Sequence, residues 1–359
     1  MVKEINIMKH MSQRRLTDMR KLESIYKAMK WDSVDYINTT VLTSKNNKDS
    51  RAFCLLPEED TLTALKRVFS IKDCNFDEKF GQACSGSGQE ERRISTLHSS
   101  SLCALLFFYN VTEKHPLKIE IKNVGEVTFF DVIFEYQNCV IEDSNPSNMD
   151  VTLLGKCQNK NVILFLESKF SEYITGMQKC LHINSAYLKE EISRPIYENW
   201  PWDKKDDESG QEFSVSVSES PAYLGGLKQM ISHYVGVRKF ERGIQKLKQG
   251  RCAGKDLYNV VNNAKKQLIQ EKLRKFALER ETVIVLGSIL FDVYANDVTH
   301  TELQEYEMLY KKLMKQISEA AVQSGSDLHI LDNFFTYQQL FKNKKEWMTN
   351  QICDFYYSE

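Results

Sequence analysis

Asp150, Glu167 and Lys169 have the side chains for metal-assisted chemistry, and they bracket one short polar segment. Asp150 precedes the strand-like run "VTLLGKC" at 151–157, and Glu167-Ser168-Lys169 closes the run "VILFLESK" at 162–169. Pairing of the two runs around a two-residue loop (Asn159, Lys160) or a four-residue loop (158–161) makes Asp150 face Lys169 and Glu167 face Thr152. Directly opposed residues, and residues two apart on a strand, share one side of a sheet. An odd-numbered loop would send Asp150 to the other side, because a one-residue slip inverts a strand. Carboxylate oxygens suit hard divalent cations such as magnesium, which keeps several waters and often shares its ligands with phosphate. A lysine beside such an ion can orient or deprotonate an attacking water. The chemistry implied is hydrolysis of a phosphodiester. The plainer alternative is a solvated charge pair worth about 0.2–1 kcal/mol, and Glu120-Ile121-Lys122 repeats the same tripeptide. Glu167 differs in following five apolar residues, Val162 to Leu166, which read as a strand buried on both faces.

The elements that must position these groups follow from periodicity. Residues 10–30 and 58–70 have helical spacing. Ser87-Gly88-Gln89-Glu90 forms a capping box, and apolar residues recur from Glu90 so that a buried helix is expected to about residue 109. Strands are expected at 117–122, 126–137, 151–157 and 162–169, followed by a helix over 171–182. Residues 195–220 turn polar and acidic and read as a surface excursion or flexible insertion. Ser220-Pro221 opens a helix that carries Gln229 and His233 on one face, and "TVIVLGSILF" at 282–291 is a further buried strand. Alternating strands and helices around a buried middle strand predict an α/β sandwich with a mixed sheet.

Asp150 and Glu167-Ser168-Lys169 in this strand–turn–strand setting resemble the PD-(D/E)XK nuclease superfamily. "GSGQE" at 86–90, "HSSSLCALLFF" at 98–108, "FEY" at 134–136 and "GLKQMISHYVGV" at 226–237 fit a bacterial branch of it. The resemblance implies a restriction-endonuclease-like core at 81–359, with an acidic insertion near 195–220 and an N-terminal helical extension, 1–80, packed upon it. It also implies that Asp150 and Glu167 ligate magnesium, with manganese as a substitute, and that Lys169 serves the nucleophilic water. Glu90 would add a metal ligand, unless it only caps its helix, and Gln229 would be the polar residue beside the active site. Asn148-Met149 stands before Asp150, where many members carry a proline. The rival reading is a catalytically inactive module of the same fold that binds nucleic acid or a protein partner.

Residues 236–280 hold thirteen Lys/Arg against four acids in a chain of formal charge −1. Such a patch is where a phosphate polymer would dock, with Arg238, Lys239, Arg242 and Lys246 as candidate contacts. DNA is the expected polymer, RNA the alternative, and a dimeric assembly is compatible with either. The plainer reading is a solvated helix face. His98-Ser99-Ser100 lacks nucleophile-elbow glycines and reads as hydrogen-bonding groups where a helix meets the sheet. Nine cysteines without a C-x-x-C pair, no secretory signal and no apolar run of membrane-spanning length predict a cytoplasmic protein with reduced thiols.

Overall fold

Val162–Leu166, apolar at every position, forms the middle of a strand that is fully enclosed from its second residue onward. The computed structural model describes residues 60–85, 94, 99–140, 146–170, 180–184, 191–198, 204–206, 212–216, 225–254, 264–292 and 301–357. The expected helix at 10–30 and the capping box at 87–90 lie outside these residues. Helices α1 (Thr61–Val68), α2 (Asn75–Ala83) and α3 (Ser100–Phe108) lead into strands β1 (Leu117–Ile121), β2 (Gly125–Asn138), β3 (Ser147–Cys157) and β4 (Lys160–Lys169). Next come β5 (Cys180–Asn184), α4 (Arg194–Glu198), β6 (Lys204–Asp206), β7 (Glu212–Ser216), α5 (Gly225–Lys248), α6 (Ala264–Glu279) and β8 (Thr282–Leu290). The chain finishes with α7 (Thr301–Gln323), β9 (His329–Ile330), β10 (Phe335–Thr336), α8 (Tyr337–Leu340) and α9 (Asn350–Tyr357).

The main sheet has seven strands in the order β1-β2-β3-β4-β8-β10, with β9 also on β8. Strands β1 to β4 pair antiparallel, whereas β8 lies parallel to β4. A parallel neighbour needs a crossover, and α5 and α6 supply it. The protein is therefore an α/β structure with a mixed sheet flanked by helices. On β1 the alternation Leu117, Ile119, Ile121 inward and Lys118, Glu120 outward leaves Glu120 exposed. Lys122 pairs at 3.6 Å with Asp332. The duplicate Glu-x-Lys is thus a surface feature, as the plainer reading of that tripeptide holds.

Four expectations change. The helix expected from Glu90 has its capped start at Ser100, because Ser99 is extended and its Oγ accepts the Leu102 N–H at 3.1 Å. Residues 180–184 form a strand instead of the end of a helix. Residues 204–206 and 212–216 of the supposed insertion join that strand in a second, three-stranded sheet, β5-β7-β6. A boundary at 80/81 cuts through α2. Lys79 of that helix binds the Val132 carbonyl and, at 3.3 Å, Asp131, both on β2.

Helix α5 spans about 36 Å at 1.5 Å per residue and is buried along most of its middle. Its close approach to the sheet depends on Gly236, where a Cβ would stand 2.6 Å from Cβ of Asn138 on β2. Gly236→Ala should therefore cost about 1–3 kcal/mol through overpacking. A urea midpoint unchanged from wild type would show that the helix can yield at this point.

Candidate active site

Strands β3 and β4 turn around Gln158 and Asn159, with Gln158 left-handed at φ 51°. Their register runs from Cys157↔Lys160 to Val151↔Leu166, so Thr152 faces Phe165 and not Glu167. The loop has two residues, as expected, but lies one position earlier. Carrying the register one pair further sets Asp150 opposite Glu167 instead of Lys169. A shift of two residues keeps the same face, which is why the convergence survives.

A break in the ladder frees Asp150. Pairing of β2 with β3 passes from Phe134↔Val151 to Tyr136↔Met149 and omits Glu135 and Asp150. Glu135 takes φ 52°, a conformation that costs a non-glycine residue about 1–2 kcal/mol. With the β3–β4 ladder ended at Val151, Oδ2 of Asp150 accepts the Ser168 N–H at 2.7 Å. The carboxylate so takes the place of a strand partner. Ser168 itself is tied elsewhere, its Oγ within 2.7 Å of the Tyr337 hydroxyl and 3.2 Å from the Ser100 carbonyl that accepts from it.

Glu167 is the hub. Its Oε1 accepts from Lys169 Nζ at 2.5 Å and its Oε2 lies 2.5 Å from His233 Nε2. Nδ1 of His233 is hydrogen-bonded to Ser147 Oγ. Glu167, His233, Lys169 and Ser147 are 2%, 3%, 6% and 5% exposed, so this chain of bonds lies in the interior, while Asp150 at its edge is half-buried. Burial alone would raise the Glu167 carboxyl, but Lys169 and then His233 outweigh it and hold it down at about 2. Asp150 goes the other way. Burial first, then the charges of Glu167 and Glu135, lift its carboxyl well above the usual range, against the smaller opposing pull of Lys169.

Two carboxylates at one site are therefore driven apart in proton affinity. Ionised Asp150 strains the folded protein, so the stability linked to its raised affinity is present at low pH and lost as pH rises through it. Asp150→Asn keeps an acceptor for Ser168 and removes the like charge. It should stabilise the protein by about 0.5–2 kcal/mol, with a gain that grows from acidic to alkaline pH. Denaturant titrations at pH 5 and pH 8 check this, and a gain larger at pH 5 would contradict it.

Whether these donors suit a divalent cation follows from their chemistry. Asp150 and Glu167, with Glu135 close enough to act electrostatically on Asp150, offer hard oxygens whose mutual repulsion a cation would relieve. Each carboxylate oxygen has two lone pairs, so the bonds from Lys169 and His233 leave Glu167 capacity for an ion. Among the described residues no group of three His, Cys, Asp or Glu side chains already stands as a metal cluster. The donor set fits magnesium in kind, while the Lys169 ammonium balances the charge.

The remaining expected residues fall apart from this centre. Glu90 lies outside the described residues. Gln229 is exposed on α5, one turn before His233. Arg238 does not face a polymer: its Nη1 donates to Glu241 at 2.9 Å, and its Nη2 donates to the Ser324 carbonyl at 2.8 Å. It is buried because it joins α5 to the end of α7. Lys239 is buried too, and Arg242 and Lys246 are half-buried further along the helix. Lys246 stands thirteen residues beyond His233, about 20 Å away along the helix. Near the end of α6, the Phe276 carbonyl accepts from Asn161 at 2.7 Å, and Asn161 lies about 20 Å along β4 from Glu167. Among the described residues, the basic segment thus runs away from the carboxylates.

Sequence reasoning gave His233 only a secondary place. Its neighbours Ile231, Tyr234, Val235 and Val237 are all core residues. A polar side chain in such a stretch needs a buried partner, and here that partner is Glu167. No protein-family model, curated protein or solved structure matches the chain. No helix among the described residues is long and apolar enough to cross a membrane.

Proposed function

We propose that the protein is a magnesium-dependent nuclease of PD-(D/E)XK type, built on a restriction-endonuclease-like core and acting on DNA in the cytoplasm. The observation that carries this reading is the convergence of Asp150, Glu167 and Lys169 where β3 parts from β4. The element order supports it: a buried helix, antiparallel strands, a crossover and a parallel strand beside the one bearing Glu167 and Lys169. Asp150 and Glu167 would hold the cation, with manganese as a substitute. The ion would polarise the scissile phosphate and offset charge in the transition state. Lys169 would orient the attacking water through its ammonium and offset the negative charge that develops on it. Glu167 anchors that ammonium, and Ser168, pinned to Tyr337, sets the direction of the strand end.

The reading that keeps the fold without catalysis, a module binding nucleic acid or a protein partner, differs in one observable. Incubation of plasmid and linear DNA, and of RNA, with the full chain in magnesium or in chelator separates the two. Magnesium-dependent nicking or shortening that is lost in Asp150→Asn is the expected result. Intact substrates in every magnesium reaction, from protein shown to be folded, would overturn the nuclease.

A further inference from the structure

We propose that His233 is a positioning residue of this site, holding Oε2 of Glu167 in place for the cation while Ser147 fixes the imidazole. The inference rests on the metal-site reading above and adds a residue, a role and a supporting bond to it.

Its basis is the directed chain of bonds. Ser147 Oγ meets Nδ1 and Glu167 Oε2 meets Nε2, the latter at 2.5 Å, so both ring nitrogens are used. With Ser147 donating to Nδ1, the N–H lies on Nε2 and donates to the carboxylate, which satisfies all three groups in one tautomer. Lys169 holds the other oxygen at 2.5 Å. The carboxylate plane is then fixed from two sides by elements distant in sequence, the end of β4 and the middle of α5. Behind it, Ser288, paired with Glu167 across β4 and β8, donates to Met230 Sδ at 3.1 Å, which seats the preceding turn of α5. Glu167 therefore cannot swing without moving a packed helix. Partners that orient a ligating side chain change metal affinity or activity by about 10–100-fold when removed.

The test is a magnesium titration followed by thermal unfolding without DNA, alongside cleavage rates over a range of magnesium. His233→Ala should raise the half-saturating magnesium concentration by about 10–100-fold, with DNA binding in chelator unchanged. His233→Gln offers an amide N–H near the position of Nε2 and should recover most of the loss. Ser147→Ala should move half-saturation in the same direction by less. A role confined to packing would lower the melting temperature of these variants without moving the magnesium dependence. If His233→Ala does not fold, His233→Gln and Ser147→Ala carry the comparison. A wild type that binds magnesium and cuts, with variants of identical half-saturation, would overturn the role of His233 alone. A wild type that neither binds nor cuts would overturn the nuclease reading and this role with it.

Discussion

Glu167→Ala is expected to destabilise the protein by about 3–5 kcal/mol, the cost of leaving a buried partner charge uncompensated. Lys169 would lose the carboxylate oxygen 2.5 Å from its ammonium, and His233 would lose the acceptor of Nε2. The substitution must therefore be read as a stability change before it is read as a loss of activity. Glu167→Gln is the milder variant, since its amide can still accept from Lys169 while the imidazole exchanges tautomer. The pH dependence follows in sign. The Glu167 carboxyl is held down from 4.5 to about 2, so its contribution is complete above pH 4.5 and fades as pH falls toward 2. At 1.36 kcal/mol per tenfold change in proton affinity, that contribution is about 3 kcal/mol. Denaturant titrations between pH 6 and pH 2.5 should show wild type converging on Glu167→Gln as the acid end is approached. A Glu167→Ala protein within 1 kcal/mol of wild type at neutral pH would refute the hub. Asp150 and Glu167 are thus expected to differ in sign: replacing the first stabilises the protein and replacing the second destabilises it, although both are acids of one site.

Lys169→Met should lower magnesium-dependent cleavage by about 10²–10³-fold, the usual effect of removing one positioned donor that stabilises developing charge. Methionine fills the volume of the lysine stem and leaves Glu167 its bond to His233, so the chain should still fold. Lys169→Arg should not restore the rate, because a planar guanidinium fork cannot stand in for the compact ammonium in this buried site. Single-turnover cleavage at saturating magnesium is the measurement. A methionine variant within tenfold of wild type would remove Lys169 from the chemistry and leave it only the balancing of charge.

Much of this arrangement is legible in the sequence because periodicity reports on burial. The apolar run before Glu167 and the alternation along β1 mark a central and an edge strand. The polar segment 158–161 marks the turn, but its parity, on which the shared face of Asp150 and Glu167 depends, is open in the sequence. The register is open too, since Gln158–Asn159 and Asn159–Lys160 are both polar pairs able to turn, and only the first is used. The break at Glu135 and Asp150 leaves no trace in hydrophobic pattern, because it depends on one left-handed residue. Alternating serine and valine at 214–217 did carry a strand signal, masked by the acidic composition around it. The basic segment misled for a physical reason. Net charge counts residues without regard to direction, and Glu241, three residues after Arg238, shows that this arginine has a partner on its own helix.

The most direct measurement is an anomalous difference map at the manganese edge from crystals soaked in manganese. A single peak within coordination distance of the Asp150 and Glu167 carboxylates, with the Lys169 ammonium facing it, is the result expected. Fully occupied manganese elsewhere in the crystal, with no peak between those two carboxylates, would contradict the account.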